Sequence, residues 1–389
     1  MARLTDAGRI ILPFIFLAAI FAAARGQTPR RAEDLFNRAQ QRLKENDIEG
    51  AIADLTIVIE LTSSLQSGDF RARDSPNGAW RIVDTPGTKG VRVVDPRTAV
   101  AFNARGLAKF VKRDYDGAIA DFDSALRISP GFAEAHFRRG IVWETKGDFE
   151  RALADYDRAL KLNPRLAVAY NQRGGAHYSR GEVEAAIYDF SRAIELNPRF
   201  AEAYSNRGMS RQSKGDWRNA TADYDRAIEI NPRKAAFYFN RGAAEQAQGY
   251  LKAATADYDR ALELDPGFAS AYNNRGVIRF ILGDSDGAIN DYNQAIAFDP
   301  RGADVYRNRG LARYVTGALA EAISDFSQAI ALNPREAQSY AARGLARLAQ
   351  GLQTEAESDF AQSLALSPGL RLKLDEYIEE ARRKLAPKR

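Results

Sequence analysis

The stretch Asn197–Gly208 reads NPRFAEAYSNRG, and close copies of it recur along the chain. NPRLAVAYNQRG begins at Asn163, DPGFASAYNNRG at Asp265 and DPRGADVYRNRG at Asp299. Their prolines belong to a series with a constant spacing of 34 residues, at positions 96, 130, 164, 198, 232, 266, 300, 334 and 368. A fixed period of this size indicates stacked supersecondary units, each of which buries its apolar face against its neighbours.

Each repeat has the pattern of two helices. Eight contiguous repeats begin at residues 99, 133, 167, 201, 235, 269, 303 and 337, and positions are counted from these starts. The first helix is expected over about positions 1–14, ending at a glycine in position 15 where a positive φ is needed; Arg113 replaces that glycine once. The second is expected over about positions 17–30, before the proline in position 32. Glycine in position 8 and alanine in position 20 let the helices approach closely, and aromatic residues in positions 4 and 24 fill the space between repeats.

With these features the chain resembles the tetratricopeptide repeat (TPR) family over residues 99–370. The resemblance implies an all-α fold, a right-handed α-solenoid superhelix of stacked antiparallel helix pairs with a concave groove. Residues 27–63 form a divergent N-terminal repeat, with Ala32 in position 1. Residues 371–389 form a C-terminal capping helix and a basic tail, and one apolar stripe of the helix comprises Leu372, Leu374, Tyr377, Ile378, Ala381 and Leu385.

The segment 64–98 interrupts the repeats and lacks a helical pattern. One interpretation is a poorly ordered loop, and the other is a hairpin with short strands at 80–83 and 91–94.

At the N-terminus, two arginines precede the uncharged run IILPFIFLAAIFAAA at residues 10–24. Fifteen residues are few for a membrane span but typical of the apolar part of a signal peptide. We therefore expect residues 1–26 to be a signal peptide, cleaved after Ala24 or Gly26, and the protein to be secreted or periplasmic. The alternative is an uncleaved membrane anchor formed by residues 10–24, which would be the only contact with a membrane.

Composition narrows the possible chemistry. The chain has no cysteine, which excludes disulfides, thiolate catalysis and zinc ribbons. The formal net charge is +5, but acidic and basic residues alternate as on a solvated helix surface, so no nucleic-acid partner is expected. Neither histidine has metal-ligand spacing and no glycine-rich phosphate loop is present. We expect no enzymatic activity, no cofactor, no metal and no small-molecule substrate; the oligomeric state is left open.

An arginine stands in position 7 and an aspartate in position 23 of every repeat. Antiparallel helices would bring these positions together, and a planar guanidinium can hold a carboxylate with two hydrogen bonds. We therefore predict a structural ladder of pairs, for which the middle repeats supply Arg207 with Asp223, Arg241 with Asp257 and Arg275 with Asp291. The alternative is a column of arginines lining an anion-binding channel.

The family resemblance implies that positions 2, 5, 9, 12 and 13 of the first helices face the groove. These positions are mainly apolar or aromatic here, which suits an extended or helical peptide, although some of the side chains could instead pack between repeats. The candidate groove residues are Phe110, Phe137, Ile141, Tyr178, Met209, Phe239, Phe280 and Tyr314.

Position 6 is asparagine in four successive repeats, as Asn206, Asn240, Asn274 and Asn308. This series resembles the asparagine ladder in the superhelix of O-linked N-acetylglucosamine transferase, whose amides suit a peptide backbone. Alternatively, the four amides satisfy local backbone groups.

The function expected from the sequence is a non-catalytic scaffold that binds a peptide or protein partner in the groove. An alternative is an accessory subunit that positions an enzyme for the assembly of envelope glycan or polysaccharide. A third possibility is a basic array that docks on an anionic membrane or polymer, which high salt would weaken.

Overall fold

The computed structural model describes residues 27–63, 81–83, 92–94 and 96–385. The predicted signal peptide or anchor, most of the inserted segment and the last four residues lie outside the described residues. The chain divides into two compact units, residues 1–199 and residues 200–389.

The described residues are almost entirely helical, and consecutive helices pair antiparallel as the sequence predicts. The helices are α1 (Gln27–Lys44), α2 (Ile48–Ser63), α3 (Pro96–Val111), α4 (Tyr115–Ile128), α5 (Ala133–Thr145), α6 (Phe149–Leu162), α7 (Ala167–Ser179), α8 (Val183–Leu196), α9 (Ala201–Ser213), α10 (Trp217–Ile230), α11 (Ala235–Ala247), α12 (Leu251–Leu264), α13 (Ala269–Ile281), α14 (Ser285–Phe298), α15 (Ala303–Val315), α16 (Leu319–Leu332), α17 (Ala337–Ala349), α18 (Gln353–Leu366) and α19 (Arg371–Leu385), with a 3₁₀ turn at Pro368–Leu370.

The turn between the two helices of a repeat is built by its sequence. The glycines in position 15 have φ values between 78° and 88°, and Arg113 adopts the same conformation with φ 66°. In five repeats an aspartate in position 16 then caps the second helix by accepting a backbone N–H three residues on, as Asp148 does from Arg151. These contacts reverse the chain and set the second helix antiparallel to the first.

Close packing inside each pair depends on the glycine in position 8. A Cβ on Gly208 would lie 2.7 Å from the ring of Tyr224, and one on Gly310 would lie 2.7 Å from Phe326. Both rings are fully buried. The ring in position 24 therefore occupies the space that the missing side chain leaves, and this contact forms the centre of each repeat's core.

In the unit 1–199, the divergent repeat stacks directly on the array. Phe36 and Leu55 from α1 and α2 share one buried core with Val100 and Ala104 of α3. Helix α3 begins at Pro96, a little earlier than the repeat pattern predicts. The strands β1 (Arg81–Val83) and β2 (Arg92–Val94) pair antiparallel in the inserted segment.

In the unit 200–389, α19 packs against the last repeat. Leu374 and Ala381 are buried, with Ile378 beside them, against side chains of α17 and α18. The predicted stripe is wrong for Leu372 and Tyr377, which are 80% and 53% exposed. The helix presents the line of residues 374, 378 and 381 to the repeat, and a stripe of that width leaves positions 372 and 377 outside the contact.

Candidate functional site

In every repeat the arginine in position 7 forms a salt bridge with the aspartate in position 23. In each case Nε and Nη2 of the arginine donate to the two carboxylate oxygens, as Arg241 does to Asp257 at 2.8 and 2.7 Å. The aspartates are at most 5% exposed. The pairs are Arg38–Asp54, Arg105–Asp121, Arg139–Asp155, Arg173–Asp189, Arg207–Asp223, Arg241–Asp257, Arg275–Asp291, Arg309–Asp325 and Arg343–Asp359.

Seven of these arginines also reach the preceding repeat of their own unit. Nη1 of Arg241 donates to Asp225 at 2.7 Å, and Nη1 of Arg275 donates to Asp259 at 2.6 Å, both acceptors standing in position 25 of the repeat before. The guanidinium of Arg241 also lies over the ring of Tyr238 in position 4, with Cζ 5.8 Å from its centroid. Protein oxygens thus engage the nitrogens that an anion would need, which favours the structural ladder over an anion-binding channel.

A second cation, which the sequence reasoning missed, contacts most of the buried aspartates. A basic residue in position 11 lies one helical turn beyond the arginine in position 7, so both approach the same carboxylate. The recurrence of Lys or Arg in that position was the available signal. The contacts are Arg42–Asp54 at 3.1 Å, Lys109–Asp121 at 2.8 Å, Arg211–Asp223 at 2.7 Å, Arg279–Asp291 at 3.0 Å, Arg313–Asp325 at 2.7 Å and Arg347–Asp359 at 2.7 Å.

In the repeats at 133 and 167 a histidine lies beside the buried aspartate, His136 from position 4 and His177 from position 11. His136 Nδ1 lies 3.1 Å from Asp155, and His177 Nε2 lies 3.9 Å from Asp189. Burial raises the pKa of Asp155, but the hydrogen bonds from Arg139 and His136 outweigh it and hold that pKa below its usual value.

The repeat that begins at residue 235 has an acidic residue, Glu245, in position 11, where most other repeats have Lys or Arg. Glu245 Oε2 is buried and has no hydrogen-bond partner in the part of the chain that the structure describes. Burial and then the charge of Asp257 raise the pKa of Glu245 to about 7, against the opposing effect of Arg241. Among the described residues, Asp257 is therefore paired with Arg241 alone, and it has a second carboxyl group beside it.

The first helices of successive repeats contact one another within each unit, α5 with α7 and α13 with α15 among them. We call positions 2, 5, 6, 9, 12 and 13 of these helices the A-helix face. It contains all the candidate groove residues.

Most of the aromatic candidates pack into the cores, Phe137 and Phe239 against rings of their own repeats. The rings of Phe137 and Phe239 lie 5.9 and 5.8 Å from those of Tyr156 and Tyr258, and Phe239 also lies 4.8 Å from Phe268. Ile141 is also a candidate groove residue, but its side chain is only 7% exposed. It packs in a core cluster and is not open to a partner. Four further candidates are partly buried and pack against cores that include residues of two repeats: Phe110, Met209, Phe280 and Tyr314.

The exposed apolar side chains of the A-helix face lie elsewhere. Tyr178 is 37% exposed, while Ile281 and Val315, in position 13 of α13 and α15, are 61% and 63% exposed. The period identifies this face but not the exposure of each position, because a residue in position 5 or 9 can turn towards the next repeat.

The asparagine series makes side-chain contacts along the array. Asn240 Nδ2 donates to Ser205 Oγ at 3.3 Å, Asn274 Nδ2 to the hydroxyl of Tyr258 at 3.3 Å, and Asn308 Nδ2 to Asn273 Oδ1 at 3.1 Å. Asn206 is also half-buried in position 6. Each of the three amide nitrogens named here donates one hydrogen bond to a side chain of the array, and its second N–H is still available within the described part of the chain.

In three repeats the side chain in position 12 accepts a hydrogen bond from the hydroxyl group of the tyrosine in position 24. The hydroxyl groups of Tyr224 and Tyr258 donate to Gln212 and Gln246 at 2.9 and 2.7 Å. In the repeat at 133 the acceptor is instead a carboxylate, since Tyr156 donates to Glu144 Oε2 at 2.5 Å. Burial raises the pKa of Glu144, and the hydrogen bond from the tyrosine opposes the rise.

Beside this carboxylate, α7 has a glycine that its packing does not require. A Cβ on Gly174 would lie 2.8 Å from the ring of Phe190, so that glycine is needed. A Cβ on Gly175 would meet only Glu144 Oε1, at 4.0 Å, an ordinary contact distance.

We therefore expect Gly175→Ala to stabilise α7 by about 0.5–1 kcal/mol, because glycine inside a helix has more backbone freedom to lose on folding. Hydrogen exchange of the α7 amides, read by mass spectrometry, would show slower opening in the variant. Gly174→Ala is the matched control and should be destabilising, because its Cβ would clash. Faster exchange in Gly175→Ala would show that the site has no room for a methyl group.

Among the described residues, no group of acidic, histidine or cysteine side chains has the arrangement of a metal site. No helix within the same residues has the length and apolar character needed to cross a membrane.

The fold and the ladder define a class of protein, the α-helical repeat proteins built from stacked helix pairs. Family models described as tetratricopeptide repeat or TPR repeat match residues 103–167 and 307–370, 174–213 and 276–317, 201–234, 257–290 and 235–268. The chain therefore belongs to the tetratricopeptide repeat family, and the all-α fold expected from the sequence is confirmed.

Two solved structures with TM-scores above 0.5 share this fold. A TPR protein from Parabacteroides merdae ATCC 43184 has 17% identity and a TM-score of 0.52, covering 73% of this chain and 99% of that one. The Cut9–Hcn1 hetero-tetramer of APC/C has 16% identity and a TM-score of 0.54, covering 92% and 77%. MamA has 30% identity and a TM-score of 0.39, covering 42% and 96%. No curated protein matches the sequence. The repeat architecture is that of a protein–protein interaction scaffold.

Proposed function

We propose that the protein binds a peptide segment of a protein partner along the A-helix face. The observation that carries this proposal is the exposure of Ile281 and Val315, in equivalent positions of the contacting helices α13 and α15. Single exposed apolar residues are ordinary on a protein surface, but neighbouring ones on one face are typical of an interaction site. Phe280 and Tyr314, each one position earlier and partly buried, extend the apolar surface inward.

The groove is concave in other members of the family, and an extended or helical segment suits it. Secretion, or anchoring by residues 10–24, remains the expectation from the sequence for the place where this binding occurs. The alternative role, positioning an enzyme for glycan assembly, would use the same surface.

To test the proposal, a random displayed peptide library is selected on the full-length protein and the affinity of the enriched peptides is measured by fluorescence anisotropy. We expect Ile281→Ser with Val315→Ser to weaken binding about tenfold, because two partly exposed aliphatic side chains would lose their burial by the peptide. The matched control is Tyr188→Ser, which removes a side chain of similar exposure, 62%, from the second helix of a repeat.

Two other results would contradict this site. Equal losses for the control and the double variant would place binding outside the A-helix face. A larger loss for Asn240→Ala with Asn274→Ala would favour the asparagine ladder. The pair Phe239 and Phe280 is unsuitable for this test, since both side chains pack in inter-repeat cores and their loss would perturb the fold.

A further inference from the structure

Glu144 is chemically unlike its counterparts in position 12. Tyr224 and Tyr258 show that a neutral glutamine is a sufficient acceptor for the hydroxyl in position 24. Glu144 makes the same contact with Tyr156 and adds a negative charge that the contact does not require.

Within the described residues, no cation forms an ion pair with this carboxylate. Its single hydrogen bond comes from Tyr156, through Oε2. The buried aspartates of the ladder, by contrast, each hold a bidentate arginine and most hold a second cation. A largely buried carboxylate without a cation is costly for the fold, and an approaching cation would offset that cost.

The other carboxylate oxygen, Glu144 Oε1, lies beside Gly175, which has no side chain. Gly175 stands in position 9 of α7, next along the A-helix face, where the other contiguous repeats have Ala, Val, Leu, Ile or Met. Nothing but Glu144 Oε1 would lie within 4 Å of a Cβ at Gly175. The glycine thus leaves a notch on the A-helix face, with a carboxylate oxygen at its side.

We propose that this notch receives a lysine or arginine side chain of a peptide bound on the A-helix face of the unit 1–199, and that this side chain pairs with Glu144. The inference rests on the proposed function and deepens it by naming the chemistry of one partner residue. A basic side chain fits because its ammonium or guanidinium group provides the missing countercharge, and its long aliphatic stem can enter a narrow space. Tyr178, in position 12 of α7 and partly exposed, adds an aromatic surface on the same face.

The experiment uses parallel library selections on the full-length protein and on three variants. Glu144→Gln removes the charge and keeps an acceptor for Tyr156, as Gln212 and Gln246 do in their repeats. Gly175→Leu fills the notch with a side chain found in position 9 of other repeats. Asp304→Asn is the control, because it removes an exposed carboxylate from position 2 of α15.

The wild type and Asp304→Asn are expected to enrich peptides with Lys or Arg at one fixed position, and Glu144→Gln and Gly175→Leu to lose that preference. A selected peptide is then remade with norleucine in place of lysine, which keeps the stem without the charge. We expect this change to weaken binding to the wild type about tenfold and to leave binding to Glu144→Gln within about twofold, a difference typical of a partly buried charge pair.

Two other outcomes would contradict the proposals, and they can be told apart. If peptides bind but the norleucine change costs the same on the wild type and on Glu144→Gln, the notch does not select a cation, while the proposed function stands. If the wild type enriches no peptide, the proposed function fails and the inference fails with it.

Discussion

Arg241→Leu is expected to destabilise the repeat formed by α11 and α12 by about 3 kcal/mol, because it leaves a buried carboxylate without any cation. Arg241 donates two hydrogen bonds to Asp257 and a third to Asp225 in the preceding repeat. Asp257 is 5% exposed, so water cannot replace the lost donors without opening the repeat. The repeat has no substitute charge, since position 11 is Glu245.

The matched control is Arg275→Leu. Arg275 makes the same three contacts, with Asp291 and with Asp259 of the repeat before. Asp291 keeps a cation after the change, because Arg279 lies 3.0 Å away. We therefore expect roughly half the loss in the control, about 1.5 kcal/mol, and the difference between the two variants measures the value of the second cation.

A double-mutant cycle separates the ion pair from the loss of side-chain packing. Arg241→Leu with Asp257→Ala should recover much of the stability lost in Arg241→Leu, because no unpaired carboxylate remains at position 257. A repeat array need not unfold in one step, so the measurement is the opening free energy of α11 and α12 amides by native-state hydrogen exchange on the full chain. A coupling energy below about 0.5 kcal/mol would show that the pair contributes nothing to stability, whatever its geometry.

The pairing of Arg241 with Asp257 illustrates what the sequence alone determines. A constant period fixes which residues face each other across the two antiparallel helices of one repeat. Positions 7 and 23 could therefore be matched from their spacing. The contact of Arg241 with Asp225 crosses from one repeat to the next, and its geometry depends on how closely two helix pairs pack.

The candidate groove was harder to derive for the same reason. Periodicity places Phe239 and Ile281 on one side of their helices, but Phe239 turns into the packing with Phe268 and Ile281 remains exposed. The outcome depends on neighbouring side-chain volumes, which a pattern of apolar positions does not contain. Gly175 could have been noticed as a break in the apolar series of position 9, but its relation to Glu144 required coordinates.

Glu245→Arg is expected to stabilise the same repeat by about 2 kcal/mol. The change restores the cation that other repeats place beside the buried aspartate, and charge-assisted hydrogen bonds of this kind contribute about 1.5–3 kcal/mol before solvent screening. It also removes a carboxyl group that burial and Asp257 disfavour in its charged form. Opening of α11 and α12 should be slower in this variant than in the wild type, and Lys252→Arg, an exposed change on α12, should leave it unaltered.

The same residue gives the wild type a specific dependence on pH. The pKa of Glu245 rises from 4.5 to about 7 in the folded protein, owing to burial and to Asp257 and Asp225, with Arg241 opposing. Between these two values the folded state therefore binds more protons than the unfolded state, and stability falls as pH rises through that window. Because Glu245 is partly exposed, we expect the wild type to lose only about 1 kcal/mol relative to Glu245→Gln between pH 4.5 and 7. Comparing the two proteins at each pH cancels the titration of all other groups they share. A constant difference between them across this range would mean that folding does not shift the pKa of Glu245, and the gain from Glu245→Arg would then have to come from the new ion pair with Asp257 alone.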